Sequence, residues 1–98
     1  MNAITKVSDI TPDDLAEYLR IPDPDESDAQ LLDNLLNVAK DFIKSYTGQT
    51  ELDGFSEFVI CVFVLVQDMY DTRSLYVDKT NLNKVIENAL NLHSVNYV

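Results

Sequence analysis

Few residues of this chain have the types and spacing that chemistry needs: one histidine, His93, one cysteine, Cys61, and the acidic run Asp23-Pro24-Asp25-Glu26-Ser27-Asp28. Clustered carboxylates suggest a calcium loop. An EF-hand loop needs Gly at its sixth position and Glu at its twelfth; counted from Asp23, those positions hold Asp28 and Asn34. The run reads better as a solvated turn that places acids at a helix N-terminus, where the helix dipole favours them. His93 has no second His or Cys near it in sequence, so a zinc set is not expected. Cys61 lies within the apolar run FVICVFVLV, residues 58–66, and reads as a buried thiol acting as a small hydrophobe rather than as a nucleophile. No serine or cysteine nucleophile pattern stands out, and two glycines in the whole chain leave no phosphate-cradling loop. The expectation is a non-enzymatic protein with no catalytic residue, no cofactor and no metal.

The composition bounds the partners. The chain has 98 residues, enough for one domain spanning 1–98, with ends of about 1–8 and 94–98 expected to be loose. Seventeen acids against seven bases give a net charge of −10. That charge opposes binding to a nucleic-acid backbone, which needs clustered Lys and Arg, and opposes an anionic membrane surface. No basic segment followed by an apolar run opens the chain, so no signal peptide is expected. The long apolar run stops at Gln67-Asp68, about half the length of a membrane span. A lone cysteine makes no internal disulfide, which suits a reducing compartment.

The elements that position these residues read as four helices. The first starts at ITPDDL: Thr11 as N-cap, Pro12 at the first helical position, Asp13 and Asp14 in the first turn, with Ile10 and Leu15 placed as a hydrophobic staple. Leu15, Tyr18 and Leu19 form its apolar face, and Pro22 and Pro24 stop it near Arg20. The second starts at SDAQ, where Ser27 and Gln30 have capping-box spacing. Leu32, Leu35, Ala39, Phe42 and Tyr46 recur along it at helical spacing, and Gly48 ends it.

The third segment contains the apolar run. As a strand it would need neighbours on both faces, and the rest of the chain supplies only short extended fragments. As a helix it extends from about Phe55 to Arg73, apolar nearly all round and so expected to be buried all round, with Val59, Val62, Phe63, Val66 and Met69 in the core. Residues 75–81 read as an extended loop or one arm of a hairpin. The helical period returns from about Leu82 to Leu92, with Val85, Ile86 and Ala89 as core positions. The expected fold is all-α: two long packed helices, a short N-terminal helix and a C-terminal helix.

In order, YLRI, an acidic turn with DAQLLDNLL, AKDFIKSYTG, an apolar helix ending MYDTR, a loop and ENALNLHS resemble the head–tail connector (adaptor, head-completion) proteins of tailed bacteriophages and prophages, over about residues 10–96. That resemblance implies an all-helical, non-catalytic subunit of a ring, commonly of about twelve copies, below the capsid portal. It implies a ring that extends the DNA channel, binds the portal and docks a stopper or tail-completion protein. DNA passes through without specific binding, as acidity would favour. The implied location is the virion neck, with the host cytoplasm during assembly. The family's assembly segments map to Arg73, Leu75, Tyr76 and Val77 after the third helix, and to His93, Val95, Tyr97 and Val98 at the end. The tail lacks the glycine- or arginine-containing ending common among family members. The alternative is a small acidic helical adaptor or regulator, such as an anti-activator, that binds a single protein partner.

Overall fold

The computed structural model describes residues 4–73, 77 and 82–94. It is an all-helical domain of four α-helices: α1 (Pro12–Leu19), α2 (Glu26–Thr47), α3 (Glu57–Thr72) and α4 (Lys84–Leu92), with a 3-10 turn at Val7–Asp9 ahead of them. There is no strand among the described residues. The hairpin reading of 75–81 lies outside them, apart from Val77.

α1 begins as its sequence implies. The Thr11 hydroxyl accepts from the Asp14 amide at 3.2 Å, and the Thr11 amide donates back to the Asp14 carboxylate at 2.9 Å. Ile10 and Leu15 are both buried, so the staple is in place. The helix ends at Arg20, which turns left-handed with φ 58° just before the two prolines.

α2 starts two residues before the SDAQ reading. Asp25, not Ser27, is the N-cap: its carboxylate accepts from the Asp28 amide at 2.8 Å and its own amide donates to Asp28 at 3.2 Å. An aspartate pair serves as the reciprocal box, and the earlier start adds helical hydrogen bonds. Pro24 sets the limit, because a residue before proline avoids helical geometry; Asp23 instead has φ 45°. At the other end Gly48 takes φ 75°, a conformation that costs a side-chain-bearing residue roughly 1 kcal/mol or more.

The 22 residues of α2 pack lengthwise on the 16 of α3, and these two helices form the spine of the domain. Leu32, Leu35, Leu36, Ala39 and Ile43 of α2 are buried against Phe58, Val59, Cys61, Val62, Phe63, Leu65, Val66 and Met69 of α3 and their neighbours. Phe42, Tyr46 and Ala89, expected in the core, are only partly buried and pack at its margin. Val85 is not a core residue: it is 71% exposed. Its helix buries the stripe that carries Ile86 and Leu90, and the neighbouring stripe with Val85 faces out.

α1 closes one side of the spine. The Tyr18 ring lies 5.0 Å from Phe63, and its hydroxyl donates to Gln67 at 3.2 Å. α4 closes the other. Its N-cap Asn83 accepts from the Val85 amide at 2.9 Å, and its C-terminal end is tied to the end of α2 by Tyr46 Oη donating to Asn91 at 2.8 Å. Gln49 adds a 2.8 Å bond to the His93 carbonyl. The chain leaves α3 at its C-terminal end and returns with the end of α4 beside the start of α3, so α4 runs back along α3.

The segment expected to be a loose N-terminal end contributes to the core. Val7 is buried, and Ser8 donates both its amide (3.0 Å) and its hydroxyl (2.7 Å) to Asp53. These bonds, hydroxyl first, hold the Asp53 carboxyl below its ordinary value and tie the start of the chain to the α2–α3 connection, where Leu52 is also buried.

Candidate interaction surface

The residues singled out for chemistry do not converge. Among the described residues no group of three or more His, Cys, Asp or Glu side chains is placed to hold a metal ion. Asp25 and Asp28 of the acidic run engage each other's amides as a helix cap. Among the described residues no helix is long and apolar enough to cross a membrane.

Cys61 faces the core of α3, and burial pushes its thiol from 9.0 up to about 11. The thiolate is the reactive form, so the native thiol is expected to resist alkylation at mildly alkaline pH and to react at once on unfolding. The same shift gives a sign to stability. Between 9.0 and about 11 the unfolded thiol gives up its proton while the folded one keeps it, so stability falls as pH rises through that window. A native chain alkylated as fast as its unfolded form would contradict this placement.

His93, a candidate interface residue, is instead held by its own chain. Its ring lies 4.3 Å from Phe55 and 5.5 Å, edge-on, from Phe58. Its Nε2 is 3.2 Å from a Glu57 oxygen, within ion-pair distance but without the alignment of a hydrogen bond. The attraction is therefore Coulombic and present only with a protonated ring. The cluster fastens the end of α4 to the start of α3. Arg73 is exposed in a left-handed C-cap at φ 57°, with its guanidinium 4.9 Å from the centre of the Tyr70 ring. Val77 is half-buried and packs on the core. Leu75, Tyr76, Val95, Tyr97 and Val98 lie outside the described residues.

A different surface emerges from the packing. α3 was expected to be buried all round, but Ile60 is 60% exposed and Val64 is only half-buried. Positions 57, 60, 64, 68 and 71 fall on one line along α3, so this apolar pair is bracketed by Glu57, Asp68 and Asp71. On α4, Val85, Ala89 and Leu92 share the flank turned away from Asn91 and α2, with Leu92 76% exposed. α4 lies along α3, and each of the two helices leaves large apolar side chains exposed. The apolar pattern alone did not distinguish this face. A helix with no polar side offers no period from which to read which side is open.

A cleft of about 170 Å³ is lined by Val7 and Leu52 together with charges of both signs, Lys40 and Lys44 beside Glu51 and Asp53. Neither lysine is within ion-pair distance of an acid among the described residues, but Lys40 is near enough to help hold the Asp53 carboxyl below its ordinary value. Comparison with protein-family models, with curated proteins and with solved structures gives no match for this chain.

Proposed function

We propose that this protein is a structural assembly subunit, a head–tail connector of a tailed phage or prophage. On this reading it joins other copies of itself in a ring below the portal, extends the DNA channel and presents a surface to the next neck protein. The observation that carries the reading is the exposure of Ile60 on α3 and of Val85 and Leu92 on α4 in a chain of net charge −10. Large apolar side chains left open on two helices that pack together mark a protein partner. The order of sequence motifs supplies the kind of partner, and the net charge of −10 fits a channel wall that repels duplex phosphates.

The same exposed residues would serve an adaptor that binds one protein. Mixing the chain with the portal protein encoded in the same genome separates the two. Co-sedimentation with the portal as a complex is expected, and a chain that stays free at high concentration argues for the adaptor.

A further inference from the structure

We propose that the open face of α3 docks a basic amphipathic segment of another protein, its apolar side chains on Ile60 and Val64 and its Lys or Arg side chains on Asp68 and Asp71. The inference rests on the reading above that this surface takes a protein partner, and adds the chemistry of the segment that covers it.

α3 packs against α1, α2 and α4, yet Ile60 is 60% exposed and Val64, one turn on, is half-buried. Tyr18 stands at the edge of the same face, with its ring on Phe63 and its hydroxyl on Gln67. From Glu57 to Asp71 the face runs about 21 Å, room for a helical segment of like length. The charges on it have one sign. α3 contains no Lys or Arg, and its three charged residues are Glu57, Asp68 and Asp71. Glu57 faces His93 of its own chain. Asp68 and Asp71 have no ion-pair partner among the described residues. Burial, and then the neighbouring Asp71, raise the Asp68 carboxyl above its ordinary value. A cation placed between the two acids relieves that repulsion. Arg73, the base nearest to them in sequence, instead has its guanidinium over the Tyr70 ring.

A second copy of the chain is a poorer occupant. Pairing this face with itself sets Asp68 and Asp71 against like charges. Bases elsewhere on the chain sit among acids: Lys40 and Lys44 share their cleft with Glu51 and Asp53, and Lys84 lies 3.5 Å from Glu87. A partner segment that carries its own excess of Lys or Arg has no such competition, and the net charge of −10 steers it to this chain.

The test uses the full chain labelled with heavy nitrogen and designed helical peptides as probes. One peptide carries Leu along one face with Lys at its edges. A second has the same composition scrambled so that no apolar face forms. A third keeps the Leu face and carries Glu in place of Lys. NMR titration follows the backbone amides, and sedimentation velocity follows association of the chain alone. The Leu–Lys peptide is expected to shift amides between Glu57 and Asp71 and to bind about tenfold more tightly than the scrambled one. Ile60→Gln should weaken that binding about tenfold. Asp68→Lys combined with Asp71→Lys should reverse the preference in favour of the Leu–Glu peptide. All three positions are exposed, and circular dichroism checks that each variant keeps its fold. Equal binding of the scrambled peptide, shifts spread over the acidic surface at large, or a Lys preference that survives the charge reversal overturns the inference. Association of the chain alone that Ile60→Gln abolishes also overturns it, since a second copy is then the occupant. The portal mixture decides the assembly reading separately, so either can fail while the other stands.

Discussion

Val62→Asp leaves this chain unfolded at neutral pH. Val62 is wholly buried in the middle of α3, where that helix packs on α2. The substitution removes an apolar side chain whose burial stabilises by roughly 1.5–3 kcal/mol. It also places a carboxylate where no cation can reach it, and burying an unpaired charge costs several kcal/mol more. A domain of this size holds together by about 5–15 kcal/mol, so the combined loss takes most or all of its stability. Far-UV circular dichroism should show the helical signal lost at neutral pH and partly regained in acid, where the carboxyl is protonated. A variant that melts like the parent would mean that α3 is not buried at this position.

Phe58→Ala is the second large effect, expected to cost about 3–5 kcal/mol. Phe58 is fully buried at the start of α3, 5.2 Å from the Phe55 ring and edge-on to His93. Its removal empties a core site and also takes away one wall of the cluster that holds the end of α4. The loss should therefore appear in chemical denaturation as a lowered midpoint and in hydrogen exchange as early opening of α4. Val85→Asp provides the contrast. At 71% exposure it should change stability by only about 0.5 kcal/mol, although spacing alone places Val85 in the core. Equal losses for the two variants would contradict the burial of α4 described above.

These two positions show how much could be read from the chain itself. α2 was legible in its first half, where Leu32, Leu35 and Ala39 repeat at helical spacing and are buried; towards its end the expected Phe42 and Tyr46 sit at the margin and Ile43 takes the core position, because that end is apolar on adjacent stripes. The caps of α1 were legible because Thr11, Pro12 and Asp14 each have one local role. α3 was legible as a helix but not as an oriented one. Phe58, Cys61, Leu65 and Ile60 look alike in an unbroken apolar run, and only packing buries the first three and exposes the fourth. α4 had two adjacent apolar stripes, and the contact with α2 and α3 chose between them.

The Ser8–Asp53 bonds join residues 45 apart in sequence, and no local signal foretells such a contact. The lysine cleft was illegible for the same reason: Lys40 and Lys44 are neighbours on a helix, but Val7 and Leu52 reach them only through the fold.

The proposed connector role requires many copies of this chain to act together. Native mass spectrometry of the chain mixed with the portal protein of its own genome counts them directly. A complex carrying a ring of copies, commonly about twelve, on each portal assembly is predicted. One or two copies bound, or none, would contradict the account and favour a single-partner adaptor.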